Sequence, residues 1–365
     1  MALKCGIIGL TNSGKTTLFN CMSNTRAESS AAAFSAAKTN MGMVQVPDNR
    51  LYELAKRQPT RKIVHATVEF ADIPGLAKGS QAATGTGNKF LADIRNTDAL
   101  IHVLRCFENE AVPHVDGRID PVGDMESVEL ELQVKDLESV EKKIIKTEKL
   151  AKVGDKAARL TLEILNKYRH HLESFMPVRS LETDEQERQQ VEDLMLLSAK
   201  PVIYVCNVDG EYAGGGNEYS DRVQKALEGQ DAEVLILAAQ VEAEIAELED
   251  QDDRKDFLED AGLSEPGVNR LIRSAYKLLH LDTFFTVGPK EIRAWTITRG
   301  TAAPGAAGVI HSDLEKGFIR AEVIKYDDFI ALGSESACRD RGKLSVEGKN
   351  YVVKDGDLLN IRFNV

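Results

Sequence analysis

The run Gly9-Leu10-Thr11-Asn12-Ser13-Gly14-Lys15-Thr16 constrains this chain more than any other stretch. It fits GxxxxGK[ST], follows the strand-like segment Lys4 to Leu10 and precedes the helical stretch Thr17 to Ser23, which is the setting that the pattern requires. The two glycines let the backbone bend until successive N–H groups face one concavity, where they and the helix start hold phosphate. Asn12, Ser13, Gly14 and Thr17 complete that cradle. Lys15 is expected to reach the β and γ phosphates, and the Thr16 hydroxyl to ligate Mg²⁺.

The surrounding pattern is that of an α/β domain with a mainly parallel sheet covered on both faces. Lys4 to Leu10, Gly42 to Val46, Thr67 to Ile73 and Ala99 to Phe107 read as strands, and Pro201 to Asn207 and Glu233 to Ala239 resume the series. Between Asp124 and about Ser198 the strand signal stops. Leu130, Val134, Leu137, Val140 and Ile144 predict one apolar helical face, and Leu160, Ile164, Tyr168 and Leu172 a second beyond Gly154-Asp155. The simplest object is an antiparallel helical pair inserted between two strands. The acidic run from Glu242 to Asp253 reads as exposed helix and loop, and Leu271 to Leu279 as an amphipathic helix. From Thr296 onward, glycines punctuate short apolar segments, which predicts a small β-rich module.

Asp72-Ile73-Pro74-Gly75 stands at the end of a predicted strand. Asp72 suits a carboxylate that holds Mg²⁺ through water, and the Gly75 N–H suits a γ-phosphate contact. With the phosphate loop, this argues for a switch-type NTPase rather than a metabolic kinase. Where Ras-like enzymes place a water-orienting glutamine, this chain has Leu76, so water positioning must come from elsewhere. At the end of the strand Val202 to Cys206, guanine-specific proteins carry N-K-x-D. Here the residues are Asn207-Val208-Asp209-Gly210: no lysine packs on the base, and Gly210 stands where the carboxylate would be. ATP is therefore admissible, with backbone groups near Val208 meeting the adenine edge.

Composition narrows the partners. The 365 residues are enough for two or three domains. A net charge of −12 argues against a surface that clings everywhere to nucleic acid and leaves a local basic patch as the route to RNA. The residues from 281 onward carry 12 Lys+Arg against 12 Asp+Glu, so the surplus acid lies in the first 280. The best basic candidates are Arg299, Lys316 and Arg320, with Lys142, Lys143, Lys146 and Lys149 on the arm, of which at least Lys142, Lys146 and Lys149 can share one helical stripe; the competing expectation pairs them with Glu138, Glu141 and Glu148. Cys5, Cys21, Cys106, Cys206 and Cys338 are scattered and read as small apolar residues rather than a disulfide or zinc framework. No apolar run suits a membrane span and no signal-peptide pattern is seen, so no membrane partner and a cytoplasmic location are expected.

The stretches GLTNSGKTTLFN, DIPGLAKGS and GTGNKFLADIRNTDALIHVLRCFEN, the helical insertion, and the C-terminal run from EPGVNRLIRSAYKLL to VKDGDLLNIRFNV together resemble the YchF family, the Obg-like ATPases. The likeness covers essentially the whole chain. It implies a P-loop NTPase domain of the Ras-like G-domain type over 1–123 and 199–280, an inserted helical coiled-coil arm over 124–198, and a C-terminal ubiquitin-like β-grasp (TGS) domain over 281–365. It also implies binding and slow hydrolysis of ATP in preference to GTP, and association with the ribosome and RNA. Leu76 fits the family's hydrophobic replacement of the catalytic glutamine. His114 matches the histidine proposed to position the hydrolytic water, although a loop histidine is otherwise simply solvated. Asn12 matches an asparagine that ligates a monovalent cation in potassium-dependent relatives, which makes K⁺ a candidate cofactor beside Mg²⁺.

The chain departs from the family pattern at three places. Ala36 stands where the first switch carries a Mg²⁺-binding Thr, so either Thr39 substitutes through a shifted loop or water takes that place. Gly210 replaces the Glu that ends the family's base motif, with Glu211 one residue late. Thr16 replaces a commoner Ser and keeps the hydroxyl. Two alternatives stay open: a GTPase of the same build, and a nucleotide-gated binding switch with negligible turnover.

Overall fold

The computed structural model describes residues 3–23, 39–75, 86–114 and 116–364. The chain divides into two compact units, Met1–Gly42 with Phe70–Val268, and Met43–Glu69 with Asn269–Val365.

One sheet carries the strands β1 (Lys4–Ile8), β2 (Asn40–Gln45), β4 (Thr67–Asp72), β5 (Ala99–Cys106), β6 (Val202–Val208) and β7 (Glu233–Leu237), in the order β2-β4-β1-β5-β6-β7; β1, β5, β6 and β7 lie in the first unit, and the division falls within β2 and β4. β1, β5, β6 and β7 pair in parallel. Every residue of β5 and β6 is buried, as expected of central parallel strands covered on both faces. Helices α1 (Lys15–Ser23), α3 (Thr86–Arg95), α7 (Glu218–Ala226), α8 (Ala239–Glu247) and α9 (Gln251–Asp260) accompany this sheet. Glu242 corrects the expectation of an exposed acidic run. It is 2 % exposed, and its carboxylate accepts from the Gly267 and Val268 N–H groups at 2.7 and 3.2 Å, where α10 (Gly267–Leu278) begins. A carboxylate at a helix start meets the amides that lack an intrahelical carbonyl.

Between β5 and β6 run the helices α4 (Pro121–Lys152), α5 (Lys156–Glu173) and the short α6 (Glu185–Gln189). Asp120 caps α4 by accepting from Gly123 N–H, and Pro121 sits at its first turn, where a missing N–H costs nothing. Met125, Val128 and Leu132 of α4 pack into the main core with Leu100, Leu104 and Tyr204. Further along, Val140 and Ile144 join Ile164, Leu165, Tyr168 and Leu172 in a separate core. The predicted apolar faces are therefore correct only in part: Leu130, Val134 and Leu160 are exposed. Long α4 switches its packing partner along its length, so no single stripe describes it. Buried Asp136 ties the returning chain to α4 by accepting from Leu197 N–H, Ser198 N–H and the Ser198 hydroxyl, all at 2.7 Å.

The second unit carries β8 (Leu281–Val287), β9 (Ile292–Thr298), β10 (Phe318–Lys325), β11 (Leu344–Glu347) and β12 (Asp357–Phe363), in the order β11-β10-β12-β8-β9. β12 runs parallel to β8 in the centre, and the other pairs are antiparallel. This is the β-grasp order, and helix α11 (Ala303–Ile310) lays Ala303, Ala306 and Ala307 against Phe284, Phe318 and Val323. Helices α12 (Ser312–Lys316), α13 (Tyr326–Leu332) and α14 (Glu335–Asp340) complete the module. β3 (Ile63–Val64), absent from the expected strands, adds a parallel edge strand beside β9. Arg50, on α2 (Arg50–Arg57), bridges Asp48 and Asp355 at 2.8 and 2.7 Å in the same unit. Among the described residues no helix is long and apolar enough to cross a membrane.

Candidate functional site

The phosphate loop leaves β1 at Ile8 and enters α1 at Lys15. Gly9 and Gly14 both have positive φ, +146° and +98°. A Cβ on Gly9 would lie 2.4 Å from the Val103 carbonyl oxygen, and one on Gly14 would lie 2.2 Å from Asn207 Nδ2, so neither position admits a side chain. Leu18 N–H donates to the Gly14 carbonyl at 3.0 Å. The Lys15, Thr16 and Thr17 amides before it are those that a helix start leaves without an intrahelical carbonyl. Buried Ser13 Oγ has no hydrogen-bond partner among the described residues.

Lys15 is buried, and its Nζ donates to the Leu10 carbonyl at 2.6 Å. Burial lowers its pKa to about 8, opposed by the attraction of Asp72. The Thr16 hydroxyl donates to Asp72 Oδ2 at 2.8 Å, which brings together the two residues expected at the Mg²⁺ site. Burial pushes the Asp72 carboxyl up, against the opposing pull of the Thr16 hydroxyl, Lys15 and Asn40. Its Oδ1 is buried without a partner among the described residues. A hydroxyl, a carboxylate and an orphaned carboxylate oxygen form a hard-oxygen donor set that suits Mg²⁺. Gly75 lies against the loop: a Cβ there would stand 2.9 Å from Thr11 N and 3.0 Å from Lys15 Nζ.

Leu76 and Ala36 lie outside the described residues. Thr39 does not turn toward Asp72; its hydroxyl donates to Asp93, while Asn40 Nδ2 reaches Asp72 Oδ2 at 3.5 Å. Asn40 was not singled out from the sequence, where nothing sets it apart from other loop asparagines.

Asn207, 3 % exposed, donates from Nδ2 to the Ser13 carbonyl and accepts at Oδ1 from Ala239 N–H, each at 2.9 Å. Its amide thus braces the phosphate loop against the start of α8. The Val208 side chain is buried in the core, which leaves its backbone as the part able to face a ligand. Gly210 opens a short 3-10 turn to Tyr212, and Asp209 is held by the Glu108 backbone.

His114 corrects the solvated-loop expectation: its side chain is 4 % exposed, and Nε2 lies 2.9 Å from Asp124 Oδ2. Asp116 N–H donates to Nδ1 at 3.1 Å. Asn12, at φ +65°, donates from Nδ2 to the Pro113 carbonyl at 3.1 Å, which joins the phosphate loop to the loop bearing His114. Arg105 holds the start of that loop through the Phe107 and Asn109 carbonyls at 3.2 and 3.3 Å. Neither Asp124 nor Arg105 was legible as a site neighbour, because each meets the loop only through the fold.

A family model described as "50S ribosome-binding GTPase" (MMR_HSR1) matches residues 4–167. Another, YchF-GTPase_C, described as "Protein of unknown function (DUF933)", matches residues 281–364. The chain is 48 % identical to the Ribosome-binding ATPase YchF of Haemophilus ducreyi over 365 residues, with all of both chains covered. It is 45 % identical to the protein of that name from Bacillus subtilis over 367 residues, again with all of both chains covered. The solved structure of the Schizosaccharomyces pombe YchF GTPase superposes with a TM-score of 0.86 at 31 % identity, covering 99 % of this chain and 98 % of that one. Full-length likeness at this level shows that the chain belongs to the YchF family.

Proposed function

We propose that this protein is a regulatory ATPase that binds ATP with Mg²⁺ at the phosphate loop, hydrolyses it slowly, and associates with the ribosome or RNA according to nucleotide state. The observation that carries the reading is the 2.8 Å bond from Thr16 to Asp72, with Asp72 Oδ1 orphaned and Gly75 packed against Lys15. The ribosomal partner comes from the names of the relatives.

The amides of Asn12 to Thr17 and of Gly75 receive the phosphates, and Lys15 exchanges the Leu10 carbonyl for phosphate oxygen. Thr16 and Asp72 hold Mg²⁺, which supplies charge neutralisation on the β and γ phosphates. Asn12 keeps Oδ1 for K⁺ while its Nδ2 stays on Pro113. Asn207 fixes the loop, and the Val208 backbone meets the base. His114 orients the attacking water in place of a glutamine. Residues 1–123 and 199–280 act as the nucleotide domain, with the arm over 124–198 and the C-terminal TGS module over 281–365 as contact surfaces.

GTP is the second reading, favoured by the word GTPase in the matched family description and in the name of the yeast neighbour. Gly210 opposes it, since the position offers guanine no carboxylate. Lys15→Ala tests the phosphate-loop reading shared by both: affinity for either triphosphate should fall about ten- to a hundredfold, as loss of a charged hydrogen bond dictates, with the melting temperature retained. Unchanged affinity would remove it.

A further inference from the structure

His114 is assigned the hydrolytic water, yet its ring has no hydrogen-bonding capacity left. A neutral imidazole has one N–H and one lone pair. Asp116 N–H occupies the Nδ1 lone pair at 3.1 Å, so the proton sits on Nε2 and is donated to Asp124 Oδ2 at 2.9 Å. The side chains of His114 and Asp124 are 4 % and 5 % exposed, so water has little access to either. With Asp116 N–H at Nδ1, Nε2 is the nitrogen that donates to Asp124.

We propose that Asp124 is a positioning residue that holds His114 in a withheld state, and that hydrolysis requires this contact to open. The inference rests on the water-positioning reading of His114. The two contacts are unequal: Asp116 N–H is a local bond across two residues in an exposed loop, whereas Asp124 is a buried carboxylate and makes the charge-assisted bond. Asp124 therefore decides where the ring rests. It lies in the first turn of the 32-residue helix α4, anchored by Asp120, which also pairs with Arg222 at 3.0 Å. The far half of the same helix forms the arm with α5. A partner that grips the arm thus acts on the helix that carries the withholding carboxylate, which links docking to turnover through one rigid element.

The test is single-turnover hydrolysis at saturating Mg²⁺-ATP by the full chain and its Asp124→Asn, His114→Ala and double variants. Asparagine keeps the shape and weakens the charge-assisted bond. Asp124→Asn should therefore speed hydrolysis by about three- to tenfold, with the KM for ATP unchanged. The double variant should match His114→Ala, because the gain acts only through the ring. If His114→Ala is slow but Asp124→Asn equals or falls below wild type, the withholding contact is overturned while the role of His114 stands. If His114→Ala turns over like wild type, the role itself fails and the proposal with it. Imidazole ¹⁵N NMR of the nucleotide-free wild type, with the resonance assigned by its loss in His114→Ala, needs no Asp124 variant. A fixed Nε2–H tautomer supports the contact, and tautomer-averaged signals overturn it.

Discussion

Lys15 Nζ donates to the Leu10 carbonyl at 2.6 Å, so the ammonium of the phosphate loop is folded back onto the loop's own backbone. Burial lowers its pKa to about 8. A bound triphosphate adds negative charge, which favours the ammonium and raises that pKa. Nucleotide binding at pH 8 should then take up about half a proton, and at pH 7 only about a tenth. Calorimetry in buffers of different ionisation enthalpy measures the uptake. Lys15→Ala should abolish it, and a pH-independent zero uptake in the wild type would contradict the assignment.

Asn207 is a brace with both ends in use. Asn207→Ala leaves the Ser13 carbonyl and the Ala239 N–H without their partner, and each buried orphan costs about 1–3 kcal/mol. The melting temperature and the ATP affinity should therefore fall together. A variant with lower affinity but full stability would show that the amide contacts the base instead.

Much of this site was legible because its chemistry is contiguous in the chain. Gly9 to Thr16 and Asp72 to Gly75 are short runs whose spacing follows from how backbone amides surround phosphate. Punctuated apolar segments made a small β-rich module legible, its β-grasp identity coming only from the family resemblance, yet two-residue β3 was not legible, since a strand that short carries no period. The burial of Glu242 was hidden by its acidic neighbours; its partners, the Gly267 and Val268 amides, lie 25 and 26 residues away. Asp124 escaped for the same reason, as its link to His114 arises where a loop meets a helix start.

His102 sits in the middle of β5, fully buried, with both ring nitrogens unpartnered among the described residues and the Tyr204 ring 5.7 Å away. Burial, with Arg179 and Lys15 nearby, lowers its pKa from 6.5 to about 3. The folded-state pKa is depressed, so the unfolded chain binds the extra proton. Stability is whole above about pH 6.5 and is lost as pH falls toward 3, at up to ~1.4 kcal/mol per pH unit from this group. His102→Leu should flatten the decline between pH 6.5 and 4 relative to wild type. Denaturant titration at several pH values checks it, and parallel curves would show that His102 takes no part.

On α4, Lys142, Lys146 and Lys149 are exposed and make no ion pair among the described residues, while Glu138 is engaged by Lys135 at 2.8 Å and Lys143 by Asp193. Arg299 is committed to Asp282 at 3.4 Å. These three lysines are therefore proposed as a phosphate-tracking surface, with Lys316 and Arg320, exposed as well, as the alternative. Reversing all three lysines to Glu should weaken ribosome co-sedimentation and make the salt dependence shallower by about one counterion per lost contact. Wild-type sedimentation and salt slope would exclude the stripe and leave Lys316 and Arg320 as candidates.

Which triphosphate the site takes decides whether the protein works as an ATPase. Direct calorimetric titration of the full chain with ATP and with GTP in the same Mg²⁺ buffer decides it. ATP is predicted to bind at least as tightly as GTP, because Gly210 gives guanine no carboxylate. A tenfold or greater preference for GTP, about 1.4 kcal/mol, would mean that Asp209 or Glu211 reaches the base and would contradict the ATPase assignment.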